Sequence, residues 1–163
     1  MPGFDPLHFW FGYFLAGLLF FRVVWGFVSP NPYARFASFA YAPRVMIGHL
    51  LDIFRGHPKR YLGHSPAGSG YIYIILSLLV LTALTGFIAQ GYYEYEGPLW
   101  ALGVEPPHAL ARWCLHLHEP IVDVMLVFIA GHLAGVITAM VQHKENLVLA
   151  MLTGYKNAQG GSA

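Results

Sequence analysis

From Ala67 to Tyr93 the chain carries no Asp, Glu, Lys, Arg or His. The hydrocarbon core of a bilayer is crossed by about 20 residues of α-helix, so this run spells a membrane-spanning segment. Two more runs approach the same length. Leu7 to Val28 is interrupted only by His8 and Arg22, and Leu117 to Gln142 is apolar apart from His118, Glu119, Asp123 and His132. A signal peptide is the competing reading of the first run, but Asp5 stands where a positive flank belongs and no small-residue cleavage site follows, so it is kept as a span.

Composition agrees. Hydrophobic residues make up 56% of the 163 and charged residues 10%, against roughly 25% charge in an average soluble domain. The mean hydropathy is +0.52. Disorder and a coiled coil do not fit these values, and the single cysteine, Cys114, excludes a disulfide scaffold. A net charge of +1 leaves no basic footprint for nucleic acid. The expectation is an all-α integral membrane bundle, one domain over residues 1–163. Its spans lie near 7–28, 67–93 and 117–142, with a linker at 29–66 and a tail at 143–163.

Lys and Arg are disfavoured on the translocated side. Arg35, Arg44, Arg55, Lys59 and Arg60 fall in the linker and Lys144 and Lys156 in the tail, whereas the segment between the second and third spans sets Arg112 against Glu94, Glu96 and Glu105. The linker and tail are thus expected in the cytoplasm and the N-terminus outside. In the linker, Met46, Ile47, Leu50, Leu51 and Phe54 recur at helical spacing after Pro43. This reads as a short amphipathic helix on the membrane, ended by Gly56 and Pro58. Residues 145–152 suggest a second one, stopped at Gly154.

The third span carries the strongest chemical signal. His118 and His132 are fourteen residues apart, which in a helix places them within about 40° of one face and about 21 Å apart along the axis. An ionisable residue inside a membrane is a functional-site hypothesis by default. The structural reading, histidines bonded to neighbouring helices or water, accounts for one such residue more readily than for a pair on one face. His116 lies about 160° from His132 and falls outside the pair. His8 sits as far inside the first span as His118 sits inside the third, so the two can face one another. Arg22 matches the depth of His132, either reaching the interface or pairing with an anion such as a haem propionate. Small residues, Gly12 and Ala16 after His8 and Gly131, Ala134 and Gly135 around His132, give a wide planar ring room to approach, and serve helix packing equally well.

Zinc needs three or four ligands at one point, which that separation denies His118 and His132. Haem iron needs only one axial ligand on each face. A covalently attached haem is excluded because the chain has no Cys-x-x-Cys-His. Buried haem b held by paired imidazoles, with His8, His118 and His132 as iron ligands, is an electron carrier.

The segments His8-Phe-Trp-Phe-Gly-Tyr, Phe21-Arg-Val-Val-Trp-Gly, Arg60-Tyr-Leu-Gly-His-Ser-Pro, Leu117-His-Glu and Glu145-Asn-Leu-Val-Leu-Ala-Met-Leu-Thr-Gly, in this order, resemble the prokaryotic cytochrome b561 family. More narrowly they resemble its branch containing the b-type cytochrome subunit of nickel-iron hydrogenases. The resemblance implies a four-helix bundle that binds two b haems and exchanges electrons with quinone. By position His8 and His118 match the ligands of the periplasmic-side haem, and His132 matches one ligand of the cytoplasmic-side haem. The family's helix before that of His8, which supplies the other ligand, has no counterpart in the sequence. A truncated start, a helix lent by another chain, and a three-helix protein with one haem or a replacement ligand are the three readings. His64, in the Gly-His-Ser-Pro turn, is the loop histidine that matches a family motif, with capping of the second span as its structural role. Arg60, Tyr61 and His64 together mark the expected quinone pocket.

The resemblance and the histidines together imply an electron-transfer subunit of an oxidoreductase complex in the bacterial inner membrane. It would bind one or two b haems and link quinone or quinol to a redox partner such as a hydrogenase or a c-type cytochrome, within an oligomer or multi-subunit complex. The rival readings are a haem-free scaffold, which leaves the fourteen-residue pair unexplained, and a small transporter or channel subunit. A channel calls for polar residues along a path, and the middle of the second span offers only Ser77, Thr82 and Thr85.

Overall fold

The computed structural model describes residues 5–56, 61 and 65–143. The expected helix at 145–152, together with His57, Lys59, Arg60 and His64, lies outside the described residues. Every regular element among the described residues is helical. Helix α1 covers Pro6–Val28, α2 Pro43–Phe54, α3 Pro66–Tyr93, α4 Gly97–Ala101 and α5 His108–His143, and two 3₁₀ turns, Pro32–Ala34 and Phe36–Phe39, join α1 to α2. The three long helices have apolar windows of bilayer length, over Pro6–Val28, Pro66–Tyr93 and His108–Ile137, which makes this a multi-pass membrane protein. The chain forms two compact units, residues 1–123 and 124–163. The described part of the second is the continuation of α5.

Helix starts follow local chemistry. Proline at the first position of α1, α2 and α3 gives up an N–H that has no helical partner there. Asp5 Oδ1 accepts from the Leu7 N–H at 3.0 Å and Ser65 Oγ from the Gly68 N–H at 3.2 Å, each satisfying an open donor. Gly56, at φ +78°, closes α2 in the left-handed conformation that glycine adopts without strain. Helix α5 begins nine residues before the apolar run, at His108, because Arg112 and His116 interrupt the hydropathy and not the backbone hydrogen bonds. Its first turns pack into the unit, with Ala111 and Cys114 buried.

Helix α1 is held to α3 and the linker near its two ends, and most of its large apolar side chains are exposed, as lipid-facing residues are. At one end the Tyr13 hydroxyl donates to Gln90 Oε1 at 2.6 Å, and the Tyr13 ring stacks on Phe87 at 5.9 Å. Gln90 is 4% exposed. Gly97, at φ +86°, closes over this pair: a Cβ there would stand 2.5 Å from Gln90 Oε1 and 3.0 Å from Tyr13 Oη. Gln90→Leu is expected to destabilise the protein by about 1–3 kcal/mol, because the phenol loses its acceptor in an apolar setting. Adding Tyr13→Phe should recover most of that loss, and a double-mutant cycle on thermal unfolding in detergent checks it.

At the other end Gly26 is buried under the Phe36 ring. That ring lies edge-on to Phe27 at 5.2 Å and to Phe39 at 5.9 Å. Phe39 is 1% exposed. Tyr73 of α3 donates its hydroxyl to the Phe36 carbonyl at 3.1 Å, which ties the linker to the start of α3.

Helix α2 packs on α3 through His49 and one member of the expected apolar stripe, Met46, while the rest of the stripe faces outward. His49 is buried, its ring edge-on to Tyr61 at 5.0 Å, and Met46 lies over Gly70. The apolar stripe of Ile47, Leu50, Leu51 and Phe54 is exposed, Phe54 at 79%. A helix that shows its apolar side outward next to a membrane span has the form of an interfacial helix.

Candidate haem-ligand site

His8 opens α1, and His118 lies one turn below Cys114 in the part of α5 that packs against α3. Their ring centroids are 5.9 Å apart with the planes at 77°. Two imidazoles bound through one nitrogen each to opposite faces of a single metal ion, at metal–nitrogen distances of about 2 Å, place their centroids about 6 Å apart. The pair therefore fits axial ligation of one iron. A Cβ at Gly12, one turn along from His8, would meet nothing within 4 Å. No group of three or more His, Cys, Asp or Glu side chains suited to a metal ion occurs among the described residues, so the donor set is a pair of imidazoles. That is a set haem iron accepts, one ligand on each face, and fewer ligands than a structural zinc takes.

His118 is the better anchored of the two. Its Nδ1 lies 3.0 Å from Thr85 Oγ1, and Thr85 is buried in α3. The Thr85 hydroxyl itself donates back to the Leu81 carbonyl at 2.8 Å and the Thr82 carbonyl at 3.0 Å. Gly86 follows, and a Cβ there would stand 3.2 Å from His118 Cε1, tighter than ordinary packing. Thr85 and Gly86 thus form the surface on which the imidazole rests. His8 is exposed, with Phe9 edge-on at 6.0 Å. Hydropathy reading of the sequence registers Thr85 only as one of a few polar residues in the second span; the signal that marks it is a hydroxyl followed by glycine in an otherwise aliphatic run.

The other residues singled out in the sequence fall elsewhere. Arg22 is half-buried near the end of α1, its guanidinium 4.9 Å over the Phe36 ring and Nη1 3.5 Å from the Ala34 carbonyl. His132 lies in the part of α5 that belongs to the second unit, where a Cβ at the flanking Gly131 or Gly135 would meet nothing within 4 Å. His116 is exposed. Tyr61 is half-buried beside His49, whereas Arg60 and His64 lie outside the described residues.

Comparison with known proteins gives the family. The family model described as prokaryotic cytochrome b561 matches residues 3–154. The chain belongs to the prokaryotic cytochrome b561 family. A relative from Rhizobium leguminosarum bv. viciae, described as a probable Ni/Fe-hydrogenase B-type cytochrome subunit, is 26% identical over 172 residues. That match takes in 91% of this chain and 66% of the relative, so the chain spans about two thirds of the length of the curated protein it matches. No solved structure matches it. Membership of the cytochrome b561 family implies haem b, and the facing imidazoles of His8 and His118 have the donor chemistry that haem b takes.

Proposed function

We propose that this cytochrome b561 family member is the membrane subunit of an oxidoreductase complex and relays single electrons between a protein redox partner and the quinone pool. The observation that carries the reading is the approach of His8 and His118, two imidazoles from different helices with a third ligand of no kind beside them among the described residues. Haem b bound between them supplies reversible one-electron storage. The chain's own residues position it: His8 and His118 as axial ligands, α1 and α3 as walls that keep water from the iron.

His132 is the proposed ligand of a second haem nearer the cytoplasm, opposite a partner still to be identified. Arg22 is the cation proposed for haem propionates, and the segment from Arg60 to His64 is the proposed quinone contact. The placing of Lys and Arg in the sequence supports a bacterial inner-membrane protein with the N-terminus of this chain in the periplasm and its C-terminus in the cytoplasm. The relative's description supports a hydrogenase as the redox partner, with a c-type cytochrome as the other class of donor or acceptor.

The test is haem b per chain, from pyridine haemochromogen absorbance of protein purified in mild detergent, with reduction by a soluble quinol followed in the same preparation. One or two haems per chain, reduced by quinol, is the expected result. A colourless protein would return the chain to the scaffold reading.

A further inference from the structure

We infer that Thr85 is a positioning residue that fixes the tautomer and the direction of the His118 imidazole, holding the hydrogen on Nδ1 and leaving the Nε2 lone pair for iron. The inference rests on the haem reading above. It begins from a count of hydrogens. The Thr85 hydroxyl has one, and two main-chain acceptors lie within reach of it, the carbonyls of Leu81 at 2.8 Å and Thr82 at 3.0 Å. With the hydrogen spent on a carbonyl, the lone pairs of Oγ1 face His118 Nδ1 at 3.0 Å. The hydrogen of that contact then comes from the imidazole. A neutral imidazole carries one N–H, so placing it on Nδ1 empties Nε2.

Three further features make this contact a fixed one. Thr85 is buried, so water does not compete for its oxygen. As a β-branched residue bonded back to its own helix it has little rotameric freedom. Gly86 lets the Cε1–Nδ1 edge of the ring come close to α3, since a Cβ there would stand 3.2 Å from Cε1 and 3.6 Å from Nδ1. A hydrogen bond from the far nitrogen of a ligating histidine orients the ring and makes it the more basic ligand, and a more basic ligand favours the ferric state. His8 has no such partner among the described hydrogen bonds, so the two ligands of one iron differ in how they are held.

The experiment compares wild-type protein with Thr85→Val and Thr85→Ser, each purified from membranes with its haem. The haem per chain, the midpoint potential from a redox titration and the low-spin ferric EPR signal are recorded for all three. Valine keeps the shape and removes the Thr85 acceptor, leaving the Thr82 carbonyl as the other hydrogen-bond partner of the imidazole; serine restores the acceptor. The expected result is a positive shift of the potential and an altered EPR signal in Thr85→Val, with Thr85→Ser at wild-type values. Loss of haem from Thr85→Val alongside wild-type haem and potential in Thr85→Ser supports the same hydrogen bond. A Thr85→Val protein with unchanged potential and EPR signal overturns the inference, as does a Thr85→Ser protein that behaves like the valine variant. His118→Ala, prepared in parallel, separates this from failure of the underlying reading: full haem retention there removes His118 as a ligand whatever the Thr85 series shows.

Discussion

His118→Ala is expected to lose the haem of the His8 site completely, with the protein still inserted in the membrane. Its imidazole is the anchored half of the pair, bonded to Thr85 and seated against Gly86; without it the start of α5 keeps the buried Ala111 and Cys114 and the contact of the His108 ring with Tyr92 at 5.3 Å. Removing it leaves the Thr85 hydroxyl bonded to its own helix, so the apoprotein carries no new unsatisfied buried group, and folding should suffer by no more than about 1–2 kcal/mol. Absorbance in the Soret region, measured per chain against wild type, reads the loss. A drop to the level of any second haem is the expected outcome, and an unchanged spectrum would sink the assignment of this site. His8→Ala should show the same loss of absorbance with a smaller effect on thermal stability, since His8 is exposed.

The largest effect on stability is expected at the opposite end of α1. Gly26→Leu drives a branched side chain into the space held by the Phe36 ring. That ring cannot simply step aside. It is bounded by Phe27 and Phe39, covered by the Arg22 guanidinium, and its own carbonyl is held by the Tyr73 hydroxyl. Overpacking of this sort costs about 1–3 kcal/mol in a well-packed core, and here the strain opens the junction of α1, the linker and α3 together. A fall in the unfolding midpoint in detergent and a lower yield of inserted protein are the expected readouts. Gly17→Leu, on the same helix but facing open space, serves as the control and should leave the midpoint near wild type. Equal behaviour of the two variants would show that the Phe36 contact does not hold α1.

What the sequence discloses and what it withholds follow from how each signal is written. The three spans are legible because length and lack of charge are sufficient for a bilayer. The boundaries of α2 are legible because Pro43 and Gly56 act through local backbone geometry. That His8 and His118 can meet is legible as well, since the first and third spans run in the same direction and equal offsets from their outer ends need only counting. The start of α5 is hidden, because Arg112 and His116 end the apolar run while the helix continues through them. The inward face of α2 is hidden for a related reason: a buried histidine and an exposed apolar stripe invert the usual rule when the surrounding solvent is lipid. Thr85 is the clearest omission. Its importance depends on which residue of another helix stands opposite, and hydropathy along one strand of sequence holds no record of that.

The arrangement of contacts also bears on the order in which the protein is made. Among the described residues, the side-chain contacts that fix α1 to the linker and α3 at Tyr13 and at Gly26 join residues between Tyr13 and Gly97, synthesised before His118. Tyr13 and Gln90, each carrying a polar group into the membrane, can find one another while α5 is still in the ribosome. The Thr85–Gly86 surface is then already exposed on an assembled wall when the third span arrives, and His118 docks onto a template instead of searching for a partner. In such a chain a defect at Gly26 or Gln90 would be felt first as slow or failed maturation, with haem content falling even though neither residue touches the histidines.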